Sequence, residues 1–119
     1  MASSSNSAPG GDCTVDVQPG ADSVLLKCSG QLVYGQTDRL QECVTDLLPK
    51  SKRIVIDLGE VDYMDSSGLG TVVRIYVTAK ASNCELQLLN LAPQVRQMFG
   101  VTRILSLFEP CGEHNIRMP

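Results

Sequence analysis

The chain has 119 residues, 43% of them apolar, and a formal net charge of −3. That is material for one domain with one core, and too little for a second domain of ordinary size. The ten Lys and Arg are scattered, which excludes the basic surface of an electrostatic nucleic-acid binder, and no apolar run approaches the ~18 residues of a membrane-spanning helix.

In chain order, residues 1–11 are rich in Ser, Gly and Pro. They have neither the basic start nor the apolar stretch of a secretory signal, and are expected to form a disordered tail. Cys13 to Val17 alternates weakly, as a first strand does. Pro19-Gly20-Ala21-Asp22 is a turn signal, and Ser23 to Leu32 completes a hairpin, with Gly30 marking a bulge or a close backbone approach. From Thr37 to Leu48 the apolar residues Leu40, Cys43, Val44, Leu47 and Leu48 share one helical stripe. Thr37 or Asp38 is the expected N-cap, and Pro49 the stop.

Arg53 to Leu58 is a near-continuous β-branched run, typical of a strand buried on both faces or lying in a parallel sheet. A helical pattern begins at Ser66, with Leu69, Val72, Val73, Tyr76 and Ala79 on one face, and ends near Ala81 to Asn83. Cys84 to Leu89 reads as a strand. Pro93 suits a first helical turn, followed by Val95, Met98 and Phe99 toward the core and Gly100 as cap. Ile104 to Phe108 is the last expected strand, and residues 110–119 are expected to be a polar tail with nothing to pack. The domain proper is therefore expected over residues 12–109. The order β-β-α-β-α-β-α-β predicts an α/β layer on a largely parallel sheet with an antiparallel edge.

The five cysteines (Cys13, Cys28, Cys43, Cys84 and Cys111) are odd in number and widely spaced. They form neither a disulfide framework nor a zinc ligand set, and reduced thiols fit a cytoplasmic setting. The single histidine, His114, lies near the C-terminus. No metal, cofactor or catalytic site is expected.

One segment carries a candidate site: Val61-Asp62-Tyr63-Met64-Asp65-Ser66-Ser67-Gly68-Leu69-Gly70, between the apolar strand and the helix that follows. Ligand and partner sites of open α/β sheets gather beyond the carboxyl ends of the strands. Asp and Ser are also preferred helix caps, so Asp65, Ser66 or Ser67 can simply satisfy free helix N–H groups, with Gly68 and Gly70 allowing close packing on the sheet. Three catalytic or nucleotide motifs are excluded. Met64 stands where a nucleophile elbow needs glycine, no Lys follows Gly70 as a phosphate-cradling loop requires, and Gly68-Leu69-Gly70 lacks the third glycine of a dinucleotide fingerprint. No enzyme is expected. A phosphorylation site at Ser66 fits better: a phosphate adds roughly −1.5 to −2 charges, the helix dipole and free amides favour it while Asp65 and Asp62 oppose it, and a partner docked on the turn would be expelled.

The Asp65-Ser66-Ser67-Gly68-Leu69-Gly70 segment, following Ile54 to Leu58 and Val61 to Met64, resembles the central motif of STAS domains, and more narrowly that of bacterial anti-sigma factor antagonists. The likeness runs from about Val15 to Phe108 and includes Leu91-Ala92-Pro93. It implies a small mixed sheet of about five strands with helices on one face. By the same resemblance, Ser66 is the acceptor for an anti-sigma factor serine kinase of the histidine-kinase-like ATPase class. The unphosphorylated chain would bind that kinase, and a PP2C-type phosphatase would reset it. The partner surface so implied comprises Leu32, Val33, Tyr34, Met64, Asp65, Ser66, Ser67, Gly68 and Leu69. Antagonists commonly carry Gly-Glu-Leu-Asp at the end of the second strand; here it reads Gly30-Gln31-Leu32-Val33, so both acids are replaced and the surface is more apolar. That departure favours an alternative, a STAS binding module of a lipid-transport ATPase or a stressosome-like scaffold without a phospho-switch. A response-regulator receiver needs an acidic pair after an early strand, and Gln18-Pro19-Gly20 and Gly30-Gln31-Leu32 supply none.

Overall fold

The computed structural model describes residues 13–102, 106, 108–110 and 115–117. Strand β1 (Thr14–Pro19) turns back into β2 (Ser23–Leu32); helix α1 (Asp38–Leu47) runs into a single 3₁₀ turn (Leu48–Lys50) and then β3 (Arg53–Met64). Helix α2 (Ser66–Ala81), strand β4 (Glu85–Leu89), helix α3 (Pro93–Val101) and the two-residue strands β5 (Glu109–Pro110) and β6 (Ile116–Arg117) complete it. The sheet order is β1-β2-β3-β4-β6-β5. The β2–β3 and β3–β4 pairs are parallel, and the other three are antiparallel.

Register explains the core. Val24 and Leu26 lie opposite Ile54 and Ile56, which lie opposite Leu86 and Leu88; all six are buried, while their neighbours Leu25, Val55, Gln87 and Leu89 are half-buried. Helices therefore cover one face, with Leu40 and Val44 of α1, Leu69, Val72, Ile75 and Ala79 of α2, and Val95 and Phe99 of α3 buried. Burying one such aliphatic side chain contributes about 1.5–3 kcal/mol. Of the two readings of the Arg53–Leu58 run, the parallel-sheet one holds: β3 is central, but it is fully covered on one face only.

The strand β3 departs from expectation by continuing past Leu58 to Met64. Its pairing with β2 steps from Lys27↔Asp57 to Ser29↔Glu60, and from Gly30↔Val61 to Gln31↔Tyr63. Each step inserts one extra residue in β3, as a β-bulge does. Two bulges in succession change the burial period from two to three, so Leu58, Val61 and Met64 all face the core while Gly59–Glu60 and Asp62–Tyr63 are exposed. Gly30, opposite the second bulge, has a φ of 98°, which confirms the irregularity expected there. Asp57 Oδ1 steadies the first bulge by accepting from Gly59 N–H (2.8 Å) and Asn90 Nδ2 (3.0 Å).

Other differences are local. Thr37 is the N-cap of α1 but makes no side-chain cap bond, and α3 continues through Gly100 to Val101. Most of the strand expected over Ile104–Phe108 lies outside the described residues, as do residues 1–12, Cys111 and His114. The chain beyond Pro110 is not a tail with nothing to pack: Ile116 is buried and pairs with Leu88, extending the sheet. Phe108 is buried too, edge-on to Tyr76 with centroids 5.1 Å apart. Cys13, Cys28, Cys43 and Cys84 are free thiols, and burial pushes the titration of each upward, as for a small packing group rather than a reactive one.

Candidate functional site

The bulged strand β3 delivers Met64 opposite Leu32 at the carboxyl end of the parallel pair. The backbone then passes through Asp65, which is extended (φ −102°, ψ −171°), and enters α2 at Ser66. Asp65 N–H donates to Leu32 O at 3.3 Å and Asp65 O accepts from Leu69 N–H at 3.0 Å. The Asp65 carboxylate makes the decisive contacts. Its Oδ1 accepts from Ser67 N–H (2.9 Å) and Gly68 N–H (3.1 Å), and its Oδ2 accepts from Tyr34 N–H (3.1 Å) in the turn after β2. These bonds, that to Tyr34 foremost, hold the carboxyl below the usual carboxylate range, because each favours the ionised form.

Of the three cap candidates, Asp65 is the cap. Ser67 is half-buried, and its carbonyl accepts from the buried Thr71 hydroxyl at 3.0 Å. Ser66 is exposed, and its hydroxyl has no hydrogen-bond partner among the described residues. The expectation that free amides await a phosphate at Ser66 is corrected, since the amides of Ser67 and Gly68 are taken by Asp65.

The two glycines differ. A Cβ on Gly68 would run into the Leu32 carbonyl oxygen and lie 2.7 Å from Met64 Cγ, so only glycine permits this crossing of α2 over the end of β2. A Cβ on Gly70 would meet nothing within 4 Å, so Gly70 serves no close approach.

The expected partner surface divides accordingly. Val33 is half-buried and Tyr34 is 83% exposed, beside the exposed Ser66 and the half-buried Asp65 and Ser67. Leu32 (0% exposed), Met64 (3%) and Leu69 (5%) are core residues, and Gly68 is buried with them. They hold the turn from beneath and offer no side-chain surface to a partner. Tyr63, which the sequence placed in the candidate segment but not on the partner surface, is 52% exposed and borders a groove of about 190 Å³ with Met64, Gln94, Val95 and Met98. The three-residue spacing of Leu58, Val61 and Met64 was the available signal. Gln31 and Val33, at the positions of the replaced acids, are both half-buried, and Gln31 pairs with Tyr63. Among the described residues no three His, Cys, Asp or Glu side chains are placed to hold a metal ion, and no helix is long and apolar enough to cross a membrane.

A mixed sheet covered by helices on one face, with an exposed serine at a capped strand-to-helix turn, is the arrangement set against known proteins. The STAS domain pattern matches residues 13–116, and the chain belongs to the STAS domain family. It is 32% identical over 89 residues to BtrV of Bordetella bronchiseptica, a protein named as a candidate anti-sigma factor antagonist, covering 73% of this chain and 77% of that one. It is 26% identical over 95 residues to the anti-sigma-B factor antagonist of Bacillus subtilis, covering 80% and 87%. Its fold is similar to that of the Bacillus cell fate determinant SpoIIAA in the phosphorylated form, with a TM-score of 0.67 and 18% identity over 84% of this chain and 93% of that one.

Proposed function

We propose that this chain is an anti-sigma factor antagonist that acts in the cytoplasm by partner switching and catalyses no reaction itself. With Ser66 unmodified it binds an anti-sigma factor serine kinase of the histidine-kinase-like ATPase class. The kinase transfers the terminal phosphoryl group of ATP to Ser66 Oγ, the hydroxyl proton leaves to a base on the kinase, and ADP is released. The new negative charge then meets the docked partner and separates the pair; a loss of ~3 kcal/mol weakens a complex more than a hundredfold. A PP2C-type phosphatase removes the phosphate by hydrolysis and restores binding.

The observation that carries this reading is the exposed, unengaged Ser66 hydroxyl on a turn whose frame is set by other residues. The serine is free to react because Asp65, not Ser66, caps the helix. The names borne by the relatives support the class of partner.

Mass spectrometry of the chain isolated from its native cell in several growth states tests the reading. A condition-dependent gain of one phosphate on Ser66 is expected, with Ser66→Ala binding its partner constitutively, Ser66→Asp binding weakly and Ser67→Ala still accepting phosphate. An unmodified Ser66 in every state would overturn the switch and favour a constitutive STAS binding module, such as a subunit of a lipid-transport ATPase or a stressosome-like scaffold.

A further inference from the structure

We propose that the outer edge of β1 pairs antiparallel with the same edge of a second copy of this chain, about a two-fold axis at Val17.

The β1–β2 ladder fixes which backbone groups face outward. Gly20 N–H donates to Ser23 O at 2.7 Å, and Pro19, opposite Val24, has no N–H to give. Bonded and non-bonded positions alternate along an antiparallel pair. Gln18, Asp16 and Thr14 therefore bond to β2, while Pro19, Val17, Val15 and Cys13 aim their backbone groups away from it. β1 is the end strand of the sheet, with no described strand beyond it. Both ends of this edge are closed: Pro19 lacks a donor, and Cys13 N–H donates to Gln36 Oε1 at 3.2 Å. Between them the N–H and C=O groups of Val15 and Val17 have no strand partner among the described residues. The helices leave the edge uncovered as well, since Val17 is 40% exposed although it shares the helical face with its buried neighbour Leu26.

An unpaired edge is a template for another strand, and here the side chains select both the strand and the register. With Val17 opposite the partner's Val17, Asp16 faces the partner's Gln18 on each side of the axis, carboxylate against amide. The two groups already suit each other within one chain, where Gln18 Nε2 donates to Asp16 Oδ2 at 3.0 Å. Each Val17 N–H then donates to the other Val17 O, and each Val15 N–H to the other Pro19 O, an acceptor that proline retains. The neighbouring registers fail. Centring on Asp16 opposes two carboxylates; centring on Val15 drives the partner into the Gln36 side chain at Cys13; centring on Gln18 leaves Val15 unpaired. A strand of six residues makes a small contact, so the pair is a weak one.

The test follows the full chain by sedimentation velocity and amide hydrogen exchange from about 10 μM to about 1 mM, where a weak pair forms. The sedimentation coefficient is expected to rise with concentration, and the Val15 and Val17 amides to gain protection. Val17→Pro deletes an outward N–H without touching the β2 ladder and should lower association about tenfold or more. Gln18 is exposed, so its variants do not depend on that proline being tolerated. Gln18→Lys sets a lysine opposite each Asp16 and should raise association about threefold or more, while Gln18→Asp should lower it. Gln97→Lys, exposed on α3, makes the same change of net charge and should leave association unchanged. A chain that stays monomeric throughout overturns the proposal. So does association that survives Val17→Pro, which would put the second copy on another surface, or a Gln18→Lys effect no larger than that of Gln97→Lys.

Discussion

Tyr34 donates its backbone N–H to Asp65 Oδ2 at 3.1 Å across 31 positions of sequence. That bond clips the turn after β2 to the cap of α2. It is the reason an 83% exposed tyrosine ring and an exposed serine hydroxyl share one frame.

The pH dependence of stability reports on this clip. A carboxylate whose folded pKa is depressed contributes stability above its unfolded value of ~3.9 and loses it as pH falls through the folded value. Asp65 is such a group, through the amides of Tyr34, Gly68 and Ser67. The denaturant midpoint of the wild type is therefore expected to fall relative to that of Asp65→Asn as the pH drops below about 5, and to run parallel above. Parallel curves across the whole range would show that the carboxylate is not engaged.

Substitution of the two glycines should have opposite signs. Gly68→Ala forces a Cβ against the Leu32 carbonyl, a backbone atom that cannot swing aside, and should lower stability by about 1–3 kcal/mol. Gly70→Ala meets open space and should raise it by roughly 0.5–1 kcal/mol through helix propensity. Urea unfolding of the pair decides; effects of the same sign would contradict the packing described.

Leu32 and Tyr34 are neighbours with separable roles. Leu32→Ala removes a fully buried side chain and is expected to cost about 2–5 kcal/mol of stability. Tyr34→Ala should leave stability within about 0.5 kcal/mol and weaken binding of the proposed anti-sigma factor kinase about tenfold or more, as loss of an aromatic anchor does. Calorimetric titration beside denaturant unfolding separates the two, and unchanged affinity in Tyr34→Ala would remove the tyrosine from the interface.

The C-terminal strand is testable in the same way. Ile116 is 2% exposed and lies opposite Leu88, so Ile116→Ala should cost about 2–4 kcal/mol. A midpoint equal to that of the wild type would return this segment to the status of a tail.

Much of this was legible beforehand. The hairpin, the stripe Leu40-Val44, the parallel run Arg53–Leu58 and the Pro93 start of α3 follow from local periodicity and turn chemistry, and each lies where expected. Two features did not follow. The extension of β3 to Met64 breaks the alternation on which strand reading depends, because each bulge shifts the burial phase by one residue. The polar surroundings of Ile116 hid one buried isoleucine whose partner, Leu88, is distant in sequence.

By itself, then, the sequence determined the order of elements, the apolar faces that build the core and the Asp-Ser-Ser-Gly turn that marks the candidate site. All of these are encoded by residues a few positions apart. Only the tertiary structure decided that Asp65 is the cap and Ser66 the free hydroxyl, that Leu32 and Met64 lie beneath the surface and Tyr34 on it, and that the helix amides are already occupied. The physical reason is that exposure and hydrogen-bond satisfaction at a turn depend on which distant segment arrives there. At this turn the segment is the end of β2, brought to Asp65 by the parallel pairing of the sheet.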